Sequence, residues 1–137
     1  MDKVLVDTII VVDLLTKRSE FYAPASKLFT FADNKKVQLS VSSLTFANTY
    51  YLLSRDLDSK TAKEILRKFK LLVKVLPIDD KIIDLSLNSD FKDFEDAIQY
   101  FSAIENKQEI IITRNLKDFK LSKLPVMTAD DYLKIIK

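Results

Sequence analysis

The chain has 137 residues, of which 47% are hydrophobic and 31% charged, and a net charge of +2; this is one globular domain's worth of chain, too mildly basic to mark a nucleic-acid binder by charge alone. Cysteine and histidine are both absent, which excludes disulfides, thiolate metal sites, zinc fingers and any Ser-His-Asp triad. Acid–base or metal chemistry must come from carboxylates, lysine, tyrosine or bound water.

Lys3–Val6 is short, apolar and β-branched and ends at Asp7, the pattern of a buried strand feeding a turn. Asp7-Thr8 is placed to cap a helix over Ile10–Leu15. Pro24 suits a first helical turn, and Ala25, Leu28, Phe29 and Ala32 recur at helical spacing up to Asn34. Val37–Ser40 is a second strand. Ser42 or Ser43 opens a helix to about Ser54, and Asp58 opens another to about Lys70. Leu72–Leu76 is a third strand stopped by Pro77, and Asp79 caps a helix over Lys81–Leu87. Phe91–Asn106 reads as a helix, Glu109–Thr113 as a strand, and Thr128 as the cap of a last helix to Ile136. Glycine is absent, so helix ends needing a left-handed residue are expected at Asn34, Asn88 and Asn106, asparagine being the next most tolerant type.

Short apolar strands alternating with helices predict an α/β protein, a three-layer α/β/α sandwich with a central, mostly parallel sheet. No repeat, low-complexity tract or linker divides it, so residues 1–137 form a single domain. In such sheets ligands sit beyond the carboxyl ends of the strands, which points at Asp7, at Ser40 to Ser43 and at Thr113-Arg114-Asn115. There is no signal-peptide h-region, and the apolar run Ile9–Val12 is far short of the ~20 residues that span a bilayer. The expected location is the cytoplasm, with no membrane partner.

Three segments carry residues capable of chemistry. Asp7 reads either as a helix cap or as a metal-ligating carboxylate at a strand end. On a helix, Phe94, Ala97, Ile98, Phe101 and Ile104 share an apolar face with Asp93 and Asp96 at its edge, while Glu95, Gln99 and Ser102 point to solvent. The two acids either complement the helix dipole or repel one another until a divalent cation binds. At the third segment, Thr113 and Asn115 end a strand and Asp118 follows. They read as a strand exit with an Asn turn and an Asp cap, or as holders of a metal-bound water or a phosphate. Lys63, Arg67 and Lys70 share one helix face, either simply solvated or a track for an RNA backbone. Arg114 is a candidate phosphate contact.

Taken in order, Val4-Leu5-Val6-Asp7-Thr8 with Asp13-Leu14-Leu15, Ser40 to Tyr51, Asp93-Phe94-Glu95-Asp96-Ala97, Thr113-Arg114-Asn115 with Asp118-Phe119, and Pro125-Val126 resemble the PIN domain family. The likeness is strongest to VapC-type toxin ribonucleases of bacterial toxin–antitoxin systems. The resemblance implies a metal-dependent endoribonuclease using Mg²⁺ or Mn²⁺, with Asp7, Asp96 and Asp118 as metal ligands and Asp93 as an accessory acid. Thr8, Asn48, Thr113 and Asn115 would support the cluster. It further implies an RNA substrate, a cognate antitoxin protein and a homodimer. Two positions depart from the family pattern: Ile9 stands where Asn is usual, and Asn48 where Glu is common. These favour the alternative, a catalytically weakened module that binds RNA or a protein partner without cutting. A response-regulator receiver is set aside because the third strand ends in Pro77 and not in a phosphoacceptor Asp.

Overall fold

The computed structural model describes residues 1–17 and 20–136. Its sheet has five parallel strands, β1 (Asp2–Val6), β2 (Val37–Ser42), β3 (Lys74–Leu76), β4 (Ile110–Ile112) and β5 (Val126–Met127), in the order β3-β2-β1-β4-β5. A parallel sheet covered on both faces needs strands that are apolar throughout. The central strands meet this with Val4-Leu5-Val6, all fully buried, and Ile110-Ile111-Ile112.

Among the described residues seven helices flank the sheet: α1 (Thr8–Leu15), α2 (Tyr22–Asp33), α3 (Ser43–Asp56), α4 (Ser59–Phe69), α5 (Asp80–Leu87), α6 (Phe94–Glu105) and α7 (Ala129–Ile135). Strand residues alternate between the two faces. Val4, Val6, Leu39, Val41 and Ile112 therefore meet α1, α2 and α7 through Ile10, Val11, Leu28, Phe29 and Tyr132. Leu5, Ile111 and Leu76 meet α6 through Tyr100 and Ala103, and α5 packs on α6. The α3–α4 pair closes on its own cluster of Leu53, Ala62 and Leu66. The expected three-layer sandwich is the observed architecture, and no helix among the described residues is long and apolar enough to cross a membrane.

Three helix starts expected from the sequence, Asp58, Asp79 and Thr128, are caps in fact, and Asp93 is a fourth cap that the sequence did not mark. The side chains of Asp58, Asp79, Asp93 and Thr128 accept hydrogen bonds from the backbone N–H groups of Thr61, Ile82, Asp96 and Asp131, at 2.7 to 3.1 Å. Each cap contributes about 1 kcal/mol. The Asp93 cap starts α6 at Phe94, three residues later than the apolar pattern suggested. The third strand is shorter than expected because Lys70–Leu72 winds into a 3₁₀ turn, and β5 is a two-residue strand that periodicity could not register.

The left-handed positions are a correction. Asn34, Asn88 and Asn106 all have negative φ, whereas Lys17, Lys35 and Lys107 have φ of 53°, 59° and 57°. The reason lies in the hydrogen bonds that end α2 and α6. Lys35 and Lys36 donate to the carbonyls of Ala32 and Phe31, and Lys107 and Gln108 to those of Ile104 and Ala103. This pattern puts the left-handed residue one place beyond the helix cap. The cap asparagine instead turns its side chain back, as Asn106 Nδ2 does onto the Ser102 carbonyl at 2.8 Å.

The chain order reverses at the centre of the sheet. From β1 it runs outward to β2 and β3, then crosses back to β4 on the other side of β1. A crevice opens beyond the carboxyl ends of strands at such a reversal, and the residues leaving β1 and β4 there are Asp7 and Thr113.

Candidate active site

Asp7 occupies the N-cap position of α1, yet its carboxylate caps nothing. Instead Oδ2 accepts a hydrogen bond of 2.8 Å from Thr113 Oγ1 across the reversal. The Asn115 backbone N–H donates to that same hydroxyl at 3.0 Å, so the hydroxyl proton is left to point at Asp7. Only 7% of Asp7 is exposed. Burial pushes its carboxyl above the usual range. The Thr113 hydroxyl and the Thr8 backbone pull it back down, and the negative charges of Asp118 and Asp93 add to the rise.

Asp96 sits in the first turn of α6, half-buried, with its backbone N–H held by the Asp93 carboxylate. Its carboxyl is pushed up to about 7, first by burial and then by the charges of Asp93, Asp7, Asp118 and Glu95. The structure thus brings four predicted acids within electrostatic reach of one another. Asp93, Asp96 and Asp118 line one cavity of about 400 Å³, with the buried Asp7 behind them in the crevice.

An all-oxygen, all-carboxylate donor set suits a hard divalent cation. Among the described residues no three acidic side chains close into a cation cage by themselves. The mutual repulsion that lifts Asp96 is the cost such a cation removes.

The supporting residues divide. Thr113 and Asn115 stand at Asp7 as described. Thr8 Oγ1 pairs with Thr45 Oγ1 at 2.8 Å, and both receive the amide of Gln99, at 2.9 and 3.3 Å. This corrects the expectation that Gln99 and Ser102 face solvent: they are 2% and 0% exposed, while Phe94 is 45% exposed. β2 offers Ser40 and Ser42 on the face that α6 covers, in register with Leu5 and Leu76. Small polar side chains on one surface admit polar side chains from the other. Asn48 reaches only Glu95, at 3.4 Å.

Arg114 lies elsewhere. Its Nε and Nη2 grip Asp13 Oδ2 and Oδ1 at 2.7 and 3.2 Å, and the guanidinium stacks 3.7 Å above the Phe21 ring. The sequence carried a hint of this partner: Asp13 interrupts the apolar run of α1, and a buried acid requires a paired cation. Lys63, Arg67 and Lys70 are exposed on or just beyond α4, opposite the buried Ala62, Leu66 and Phe69, and none of them lines the acid cavity. The cations that do so are Lys92, Lys117 and Lys120, which the sequence reading passed over.

A profile of the PIN domain matches residues 3–117. The chain belongs to the PIN domain family. As a PIN domain it is similar to Ribonuclease VapC1 of Aquifex aeolicus (strain VF5), 26% identical over 136 residues that cover 96% of this chain and 93% of that one. Its fold is that of the toxin–antitoxin complex from Klebsiella pneumoniae (TM-score 0.68, 24% identity, 92% of this chain and 97% of that chain). It is equally that of VapBC2 from Rickettsia felis bound to a DNA fragment from its promoter (TM-score 0.68, 18% identity, 90% and 96%). The acids of this PIN domain stand where the strand reversal opens its crevice.

Proposed function

We propose that this PIN domain is a metal-dependent endoribonuclease, the toxin of a toxin–antitoxin pair, and that Asp7, Asp96 and Asp118 hold Mg²⁺ or Mn²⁺. The single observation that carries the reading is the convergence of Asp7, Asp93, Asp96 and Asp118 at the strand reversal. There burial and like charge raise Asp96 to about 7. Structural carboxylates are normally paired with cations or backbone donors; Asp7 and Asp96 face other carboxylates, a strain characteristic of functional sites.

The residues divide the work. Thr113 donates to Asp7 and offsets part of the rise that burial imposes on its carboxyl. Asp93 is a positioning residue: by capping α6 it fixes the backbone that carries Asp96. A bound cation supplies Lewis acidity toward the scissile phosphate and its attacking water. Similarity to a VapC ribonuclease and to toxin–antitoxin complexes supports an RNA substrate and a cognate antitoxin protein; a homodimer is part of the same proposal.

The test is cleavage of a mixed single-stranded RNA pool with Mn²⁺, comparing the native chain with Asp96→Asn. Metal-dependent cutting that the variant loses supports the nuclease. A second reading, binding without cleavage, is favoured by Ile9 and by the engagement of Asn48 with Glu95. No cutting by either folded protein would select it.

A further inference from the structure

The acid cavity continues along the molecule. Asp90, Phe91 and Leu121 form one wall of it and also line a second cavity of about 400 Å³. That second cavity runs beside α6, past Tyr100, Phe101 and Ile104, to Lys123. Together they make one groove, starting at Asp93, Asp96 and Asp118 and leading over the segment before α6.

Two features give this groove its chemistry. Four exposed lysines border it: Lys92, Lys117 and Lys120 at the acids, and Lys123 at the far end. Its floor is aromatic, with Phe91 packed 5.1 Å from Tyr100 and 6.2 Å from Phe101, centroid to centroid. Lysines spaced along an aromatic floor match a single strand of nucleic acid, whose phosphates repeat and whose bases all offer a stacking face. An acidic peptide would meet the same lysines but would also face Asp90, Asp93, Asp96 and Asp118 with no cation-bridged phosphate to offset them.

We infer that this groove carries the RNA strand on one side of the scissile phosphate. Lys92, Lys117, Lys120 and Lys123 hold its backbone, so the strand leaves the acids across α6 and not across α4. The inference rests on the ribonuclease reading and assigns that site its substrate path.

The test measures binding of a short, fluorescently labelled single-stranded RNA by anisotropy over a range of salt concentrations, with Ca²⁺ in place of Mg²⁺ or Mn²⁺ and a denaturing gel to show that the RNA stays intact. Three proteins are compared: the native chain, a groove variant with the four lysines changed to Ala, and an α4 variant with Lys63→Ala, Arg67→Ala and Lys70→Ala. Each phosphate contact contributes about 0.7 to the slope of log affinity against log salt for a single strand. The groove variant should therefore have a slope shallower by about 0.7 per lysine. Across a roughly fourfold rise in salt the native chain should lose about 50-fold more affinity than this variant. The α4 variant should keep the native slope. All seven positions are exposed, and a thermal melt confirms that each variant is folded.

Unchanged RNA binding by the groove variant overturns the inference and leaves the groove to a protein segment. Loss in the α4 variant alone overturns it in favour of the opposite path, and a native chain that binds no RNA also overturns it. The ribonuclease reading fails separately, through absent or Asp96-independent cleavage. A chain that does not cut yet binds RNA through the four lysines keeps the groove and loses the nuclease.

Discussion

Replacing Asp96 by Asn should stabilise the metal-free protein while removing its response to metal. In the folded chain the Asp96 carboxyl is pushed up from 3.8 to about 7, so between those values the native state holds a proton that the unfolded chain releases. The associated stability is fully present below about pH 3.8, falls as pH rises, and is gone once pH passes about 7. At full weight such a shift corresponds to about 4 kcal/mol. Asp96 is only half-buried, and solvent screening reduces this to about 1–2 kcal/mol. The helix dipole acts in the opposite direction, favouring a negative charge in the first turn of α6 by about 0.3–1 kcal/mol, and does not reverse the sign. Urea denaturation in EDTA should therefore show the variant more stable by about 1 kcal/mol at pH 8, with the gap narrowing as pH falls and closing near pH 3.8. Adding Mn²⁺ should raise the native stability through mass action, by about 2.7 kcal/mol at a hundredfold excess over Kd, and leave the variant unmoved. A variant less stable than the native chain at pH 8, or a gap that does not change with pH, would refute the electrostatic account of the site.

Three further outcomes follow from particular contacts. Thr113→Val removes the only side-chain donor to the buried Asp7 carboxylate among the described residues; chemical denaturation at neutral pH should show a loss of about 1–3 kcal/mol, and the Mn²⁺-induced gain should shrink. Asp13→Ala removes the buried partner of a partly exposed Arg114 guanidinium, and the loss of this charge-assisted pair should show as about 1–3 kcal/mol by denaturation. Restoration of stability by a joint Asp13→Leu, Arg114→Met change would show that the pair acts through burial alone. Lys107→Gly relieves a left-handed lysine at the end of α6, and a thermal melt should rise by the equivalent of about 0.5–1 kcal/mol, the strain relieved minus the added freedom of the unfolded chain.

Local patterns carried most of the fold. The apolar runs at Val4–Val6 and Ile110–Ile112 marked central strands, and Asp58, Asp79 and Thr128 marked helix starts, because capping and strand burial are written within a few neighbouring residues. The candidate acids were legible locally too: Asp7 and Asp118 because they follow strands, Asp93 and Asp96 because they lie at the edge of an apolar helix face. The motifs from Val4 to Asn115 that resembled the PIN family lie within the family profile's match over residues 3–117, whereas Asp118-Phe119 and Pro125-Val126 lie beyond it.

What tertiary structure alone decided are pairings between residues far apart in the chain. Asp13 and Arg114 lie 101 positions apart, and Gln99 is 91 from Thr8. Hydropathy assigned Gln99 and Ser102 to water because it scores each side chain against a generic interior, whereas the surface that α6 covers presents Ser40 and Ser42. Arg114 looked free for phosphate because nothing near it in sequence is acidic except Asp118, yet the crossover from α1 delivers Asp13 to its guanidinium. The acid cavity also meets the aromatic groove only in the folded chain, where the segment after β4 lies alongside the one before α6. Short-range interactions determine which elements form; which of their faces meet depends on how those elements stack across the sheet.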